Sequence, residues 1–240
     1  MKIKALAVDI DGTLTENGNG MVHLGSLSML RTVESLGLRV IYVTGRSSIE
    51  AYVLSVFGGT TKIAVGENGG VVTTSPHEHR LLADKSHSEK AYEFLRTRME
   101  NVMMKPVFPR MTEVVLQRSF DITIAAQILK DSNLPVVITD SKFAYHLDHE
   151  SINKSVGFKV ALEVLGIKPE ESIAIGDSET DVPLFDMCGY STALGNAGDD
   201  VKASAKYTVT SSDGNGLVEA LDHIAYKFLG VTDGIPTSNK

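Results

Sequence analysis

The sequence predicts an α/β fold: a doubly wound, Rossmann-like parallel sheet into which a smaller α+β domain is inserted. Short apolar runs that stop abruptly at polar or glycine residues predict strands buried on both faces, as in a parallel sheet. Stretches with helical spacing separate these runs, and the roughly 30 positions from Val8 to Val40 match one strand–helix–strand unit. The predicted strands are Ala5 to Val8, Val40 to Val43, Ile63 to Val65 and Ile173 to Ile175.

Helical spacing and capping signals predict the helices between these strands. Ser26 is the predicted N-cap of the first helix. Ser47 and Glu50 have the spacing of a capping box, which predicts a second helix ending near Gly58. Two later helices are predicted from Lys154 to Leu165 and from Gly216 to Phe228.

The middle of the chain breaks this alternation. Its order is helix, strand, helix, strand, strand, with a capping box at Ser86 to Glu89, a second helix capped by Asp121, and a hairpin around Asp140 and Ser141. This order predicts an inserted domain over residues 83–150. Residues 1–82 and 151–230 then form a discontinuous core, and the polar tail 231–240 is expected to be loose.

Composition narrows the class of protein. The chain has 240 residues and a formal net charge of −7, the opposite of the basic balance typical of nucleic-acid binders. No run of about 18 uncharged apolar residues is present, so we expect no membrane span. A lone cysteine, Cys188, predicts a reduced, cytoplasmic protein in which this side chain packs as a small apolar residue.

Functional-looking groups follow three of the predicted strands. The first strand ends in Asp9-Ile10-Asp11-Gly12-Thr13, the second in Thr44-Gly45-Arg46, and a late strand in Gly176-Asp177. Ligands of open α/β sheets bind just outside the carboxyl ends of the strands. If the strands are parallel, all three groups lie at one edge of the sheet.

These residues resemble the haloacid dehalogenase (HAD) superfamily. Its first motif matches Asp9 to Thr13, its strand-terminal threonine or serine matches Thr44, and its helix-opening lysine matches Lys154. The fourth motif, Gly-Asp-x-x-x-Asp, matches Gly176 to Asp181. All four occur in the order of the family, over most of the chain.

The resemblance implies phosphate-ester chemistry. Asp9 is implied as a nucleophile that forms an aspartyl-phosphate and so divides a very slow hydrolysis into two steps. Asp11 is implied as the general acid and base that protonates the leaving alkoxide and later deprotonates water. An aspartate at position 11 favours a phosphatase or a phosphomutase over a dehalogenase.

Four carboxylates at one site would repel an anionic substrate and each other, so a divalent cation is expected, and all-oxygen ligation suits Mg²⁺. The resemblance implies Asp9, the backbone oxygen of Asp11, and Asp177 as metal ligands, with Asp181 as a ligand or a support.

The remaining motif residues are implied to bind the phosphate. Lys154 would hold it and offset the acidic cluster, and Thr44 with the backbone amides of Gly45 and Arg46 would complete the cradle. Ser155, Arg46 and Thr180 depart from the residues common at these places in the family.

The inserted domain resembles the α/β cap of the Cof-like subgroup, and the layout is most similar to archaeal-type phosphoglycolate phosphatases. This implies a small phosphorylated metabolite as partner, with 2-phosphoglycolate first and a sugar phosphate second. A phosphomutase and a non-catalytic phosphometabolite sensor stay open, as does the choice between monomer and homodimer.

Several cap residues are open in role. Arg110 and Arg118 are candidates for binding a substrate carboxylate. His146 could contact substrate from the cap, although a surface or turn position is favoured. The group His77, His79 and His87 is expected to lie in a solvated connector rather than at a metal.

Overall fold

The central sheet of the computed structural model has eight strands, in the spatial order β11-β10-β9-β1-β2-β3-β4-β5. The structure describes residues 2–16, 20–141 and 143–231. The predicted loose tail lies outside this range except for Val231. The strands of this sheet are β1 (Ala5–Val8), β2 (Arg39–Val43), β3 (Ala64–Gly66), β4 (Val71–Ser75), β5 (Glu78–Leu81), β9 (Ser172–Gly176), β10 (Tyr190–Ala193) and β11 (Tyr207–Thr208).

Strands β11 to β3 run parallel to their neighbours, and this confirms the predicted α/β class. The far edge differs, because β4 and β5 form an antiparallel hairpin that extends the sheet. Neither this hairpin nor β10 was predicted from the sequence. In β10 the buried Ser191 and Thr192 interrupt the apolar pattern.

Helices cover both faces of the sheet. They are α1 (Leu24–Ser35), α2 (Ser48–Gly58), α5 (Lys154–Leu165), α6 (Val182–Met187), α7 (Asp199–Ser204) and α8 (Asp213–Ile224). Alternate residues of β1 point to opposite sides: Leu6 and Val8 join a core with α1 and α8, whereas Ala5 and Ala7 join a core with α5, α6 and α7. The sheet is therefore doubly wound.

Helix ends follow local signals closely in some places. The capping box of Ser47 and Glu50 is present, and α2 ends at Gly58 as predicted. Helix α5 has the predicted bounds, with Asn153 as N-cap and Gly166 in the left-handed conformation that favours glycine.

Three predicted boundaries were wrong. The N-cap of α1 is His23, because its ring nitrogen accepts from the amide of Ser26. The predicted Gly216–Phe228 helix begins earlier, at Asp213, and continues beyond Ile224 as a π-helical turn over Ala225–Leu229. The first helix of the inserted domain is capped by Asp84 rather than Ser86.

The inserted domain has its own antiparallel sheet, in the order β6-β8-β7. Its elements are α3 (Lys85–Arg96), β6 (Val114–Leu116), α4 (Ile122–Lys130), β7 (Val136–Asp140) and β8 (Tyr145–His149). Val114, Leu116 and Leu147 pack with α3 and α4 in a separate core. The other face carries the buried polar side chains of His146 and Asp148. The boundaries 83–150 stay a prediction.

Candidate active site

The carboxyl ends of three neighbouring strands bring the motif residues together. Val8 at the end of β1 pairs with Tyr42 of β2 and with Ile175 of β9. The residues that follow, Asp9, Thr44 and Asp177, therefore leave the same edge of the sheet. This is the arrangement that the parallel pattern predicted.

A buried cluster of carboxylates lies at this edge. One oxygen each from Asp9, Asp177 and Asp181 lies within 4.8 Å of the others. Nζ of Lys154, at the start of α5, donates to Oδ1 of Asp9 at 2.8 Å and to Oδ1 of Asp181 at 2.7 Å. The ammonium group thus links the first and last motifs.

Burial and charge act in opposite directions in this cluster. Burial raises the pKa of Asp9 well above its usual value, Lys154 opposes that rise, and the charges of Asp181 and Asp177 add to it. Burial alone would lower the pKa of Lys154, but Asp181 and Asp9 outweigh it and keep the pKa above its ordinary value. Lys154 is therefore a fixed cation.

The donor set suits a hard cation. Three buried carboxylates here face one ammonium group, and every atom of the cluster that could bind a metal is a carboxylate oxygen. A divalent cation that prefers oxygen ligands would balance the remaining negative charge. The side chain of Asp11 is not part of this cluster, so a metal contact from that residue would have to come from its backbone oxygen.

Two polar side chains hold the carboxylate of Asp177. Thr13 donates through Oγ1 to Oδ1 at 3.0 Å, and Asn196 donates through Nδ2 to Oδ2 at 3.0 Å. Asn196 also donates to the backbone oxygen of Gly12 at 2.9 Å. Asn196 was missed in the sequence analysis because β10 was not predicted. It follows the end of that strand, which is the signal that identified the other motifs.

Asp181 organises the loop that carries Asp177. Its Oδ2 accepts from the backbone amides of Asp177 and Ser178 at 3.1 and 3.0 Å, and from the hydroxyl of Ser178 at 2.9 Å. Its other oxygen accepts from Lys154. Both oxygens are thus engaged in holding neighbouring groups, which is the geometry of a supporting carboxylate.

The guanidinium group of Arg46 binds both carboxylate oxygens of Asp11. Nε donates to Oδ2 at 2.8 Å and Nη2 donates to Oδ1 at 2.7 Å. Nη1 contacts Glu50 of the α2 capping box at 3.3 Å. The side chain of Asp11 is 51% exposed, so it lies at the solvent side of the buried cluster.

A hydrogen bond within the loop after β2 joins Thr44 to Arg46. Thr44 is buried, and its Oγ1 accepts from the amide of Arg46 at 3.1 Å. The predicted phosphate-binding role of that amide, and those of Thr44 and Gly45, stay predictions.

Comparison with known proteins decides the family. The haloacid dehalogenase-like hydrolase family matches residues 6–107 and 110–221, which is most of the chain. The protein belongs to this family. Its membership confirms the resemblance drawn from the four motifs. Together with the names of the curated relatives, it identifies the chain as a phosphatase.

Curated relatives align with almost the whole length of this chain. A protein of Nitrosopumilus maritimus named phosphoglycolate phosphatase is 52% identical over 225 residues, covering 94% of this chain and 97% of its own. A protein of Archaeoglobus fulgidus with the same name is 36% identical, covering 96% of this chain and 98% of its own.

Solved structures confirm the HAD fold with its cap. The crystal structure of Thermoplasma acidophilum 0175 has a TM-score of 0.82 at 22% identity, covering 93% of this chain and 98% of its own. A structure titled as the HAD subclass IIB sugar phosphatase BT4131 has a TM-score of 0.75 at 18% identity, covering 95% and 100%. No helix in the described parts of the HAD chain is long and apolar enough to cross a bilayer.

The HAD core is joined to its cap by the turn after β3. The buried carboxylate of Glu67 accepts from the amides of Met111 and Thr112 at 2.9 and 2.8 Å, and from the hydroxyl of Thr112 at 2.9 Å. Asn68 donates to Oδ2 of Asp148 in the cap at 3.2 Å. Asn-Gly at positions 68–69 is by itself only a turn signal, and the cap partners are more than forty positions away.

The same turn sets the position of Lys154. Gly69 has φ of 103°, and a Cβ atom there would collide with the backbone oxygen of Asn153. The missing side chain lets the turn after β3 press against the first residues of α5. The glycine therefore matters for the site although it carries no chemistry.

The histidines and arginines whose roles were left open have distinct surroundings. The favoured surface position of His146 was wrong, because only 2% of this residue is exposed. Arg118 pairs with Asp140 at 2.8 Å on the surface of the cap. His79 lies in β5, 2.9 Å from the hydroxyl of Thr73, and His87 lies in α3, so neither is in a solvated connector. His77 is in the exposed turn before β5, as predicted.

Proposed function

We propose that this protein is a Mg²⁺-dependent phosphomonoester hydrolase that works through an aspartyl-phosphate on Asp9 and acts on 2-phosphoglycolate. The observation that carries the proposal is the buried carboxylate of Asp9 held by the ammonium of Lys154 beside Asp177. Cations around a carboxylate nucleophile let it approach a dianionic phosphate.

Magnesium would be held by Asp9, Asp177 and the backbone oxygen of Asp11, with Asp181 supporting the loop. When bound, the ion would neutralise charge on the transferring phosphoryl group. In the first step a carboxylate oxygen of Asp9 forms a bond to phosphorus as the ester oxygen–phosphorus bond breaks, and the leaving alkoxide takes a proton from Asp11.

In the second step, Asp11 removes a proton from water as the water oxygen forms a bond to phosphorus. The bond between Asp9 and phosphorus breaks, which releases inorganic phosphate, restores the carboxylate of Asp9 and returns Asp11 to its protonated form. Lys154 holds the oxygen of Asp9 in place through both steps, and Thr44 with the loop of Gly45 and Arg46 contacts the phosphate.

The substrate part of the proposal is supported by the two curated relatives described above, both named phosphoglycolate phosphatase and both matching nearly the full length of the chain. A sugar phosphate, transfer to a sugar hydroxyl as in a phosphomutase, and binding without turnover are the competing outcomes.

The test is release of inorganic phosphate with Mg²⁺ from 2-phosphoglycolate, a panel of sugar phosphates and an aryl phosphate. Wild type is compared with Asp9→Asn and with a matched surface variant, Asp186→Asn, which alters an exposed carboxylate. We expect a preference for 2-phosphoglycolate in wild type and the surface variant, and a loss of roughly 10³-fold or more in Asp9→Asn.

Each other result has a definite meaning. Undiminished turnover in Asp9→Asn would reject the aspartyl-phosphate. A preference for sugar phosphates would keep the mechanism and reject the substrate. Retention of the phosphate label on a sugar would indicate a mutase, and tight binding without release would indicate a sensor.

A further inference from the structure

Arg110 extends from the cap to the loop that follows β2. Its Nη1 donates to the backbone oxygen of Gly45 at 2.9 Å, between Thr44 and Arg46. The Arg110 side chain is only 7% exposed. A buried guanidinium group from the cap therefore touches the segment that the proposed function assigns to phosphate binding.

The charge of Arg110 is poorly balanced by its neighbours. Nη1 lies 3.1 Å from Oε1 of Glu113. Yet burial raises the pKa of Glu113 to about 8, against the opposing effect of Arg110. This rise favours the neutral form of the carboxyl group, whose other oxygen lies 2.7 Å from Nδ1 of His146. Glu113 therefore balances the charge of Arg110 only in part.

One atom of the guanidinium group is also unsatisfied. Among the residues that the structure describes, the buried Nε of Arg110 has no hydrogen-bond partner. A buried donor without a partner is costly, and such groups in native proteins commonly belong to a binding function. Both features suit an anionic ligand at this place.

We propose that Arg110 determines substrate specificity by binding a carboxylate on the leaving group of the phosphate ester. The inference rests on the proposed function and adds the residue that recognises the substrate. In 2-phosphoglycolate a single methylene separates the carboxylate from the ester oxygen, so the recognising group must lie at the rim of the phosphate site. The contact with Gly45 puts Arg110 at that rim.

The two other candidate arginines, Arg46 and Arg118, are paired with carboxylates. Arg46 holds the carboxylate of Asp11 and contacts Glu50. Arg118 is 44% exposed and paired with Asp140, where solvent weakens any further ionic contact. Of these three arginines, Arg110 alone combines burial with an unsatisfied donor. Guanidinium and carboxylate form strong paired hydrogen bonds, and a site built for one group rejects an analogue that lacks it.

The test uses a matched pair of substrates, 2-phosphoglycolate and 2-hydroxyethyl phosphate, which differ by a carboxylate against a hydroxymethyl group. The measured quantity is the ratio of their kcat/KM values. We expect Arg110→Met to lower this ratio by about 10²-fold or more, and Arg110→Lys to lower it by about tenfold. The matched control, Arg118→Met, should leave the ratio unchanged.

A binding measurement separates recognition from turnover. Calorimetric titration of 2-phosphoglycolate into Asp9→Asn and into the double variant Asp9→Asn/Arg110→Met should show a Kd about 10²-fold weaker in the double variant. Thermal melting checks the fold of each variant, and Arg110→Lys decides the question if Arg110→Met does not fold.

The outcomes separate this inference from the proposed function. If wild type prefers 2-phosphoglycolate and the Arg110 variants keep that preference, Arg110 only supports the cap, and this inference is overturned while the proposed function stands. If wild type hydrolyses phosphate esters without favouring the carboxylate-bearing member of the pair, both the substrate assignment and this role for Arg110 fail.

Discussion

Lys154 is hydrogen-bonded to Asp9 across 145 positions of sequence, at 2.8 Å from Nζ to Oδ1. The same Nζ lies 2.7 Å from Asp181. These three side chains are almost fully buried, so their charges interact with little screening by water. These contacts join Asp9 of the first motif to Lys154 of the third and Asp181 of the fourth. A substitution at any one of these residues should therefore disturb the other two.

Replacing Lys154 should destabilise the fold as well as stop the reaction. In Lys154→Met two buried carboxylates lose their cation, which costs about 3–5 kcal/mol of unfolding free energy when a buried pair is broken from one side. Urea denaturation measures this loss. The double variant Lys154→Met/Asp181→Asn should recover part of it, and strictly additive losses would contradict the coupling.

Asp11 should matter in different ways for different leaving groups. An aryl phosphate leaves without a proton, so Asp11→Asn should still form the aspartyl-phosphate and release one equivalent of phenol in a burst. Turnover should then stall, because no base activates water. Rapid-quench kinetics measure the burst. Steady turnover at the wild-type rate would show that Asp11 is not the acid and base.

Two buried carboxyl groups of the cap should make stability fall as the pH rises. Burial raises the pKa of Glu113 from 4.5 to about 8 and the pKa of Asp148 from 3.8 to about 8, and the lower values apply to the unfolded chain. The folded state therefore binds more protons between about pH 4 and pH 8. The stability that each bound proton contributes is fully present below the pKa of the unfolded state and is lost as pH rises through the pKa of the folded state. The free energy of unfolding falls by up to about 1.4 kcal/mol per pH unit for each proton.

Glu113→Gln should flatten this dependence, because the amide needs no proton to stay neutral. Unfolding free energies measured from pH 5 to pH 8 test it. Glu89→Gln, an exposed change on α3, is the matched control and should keep the wild-type slope. An equal slope in Glu113→Gln and wild type would show that the buried carboxyl group does not titrate in this range.

Cys188 should be unreactive in the folded protein. Burial raises the pKa of its thiol to about 11, and its sulfur accepts from the hydroxyl of Ser172 at 3.2 Å. The thiolate is the reactive form, so native protein should not be labelled by a disulfide reagent, and unfolding in urea should expose one equivalent. Rapid labelling of native protein would contradict this.

The sequence was sufficient to predict the family, the strands β1, β2, β3 and β9, and the motif residues at their ends. These signals are local: an apolar run followed at once by Asp9, Thr44 or Asp177 predicts a buried strand and the edge to which it delivers its last side chain. Parallel pairing then brings those ends together whatever their distance along the chain.

The groups that act through distant partners could be identified only from the packed structure. Asn196 holds Asp177 because β10 packs beside β9. Glu67 joins core to cap, and Arg110 meets Gly45, because two separate loops come within hydrogen-bond distance. Such contacts leave no periodic trace, since any polar residue in a loop has the same local pattern. Their partners, their burial and their charge are fixed by the packing of the cap on the core.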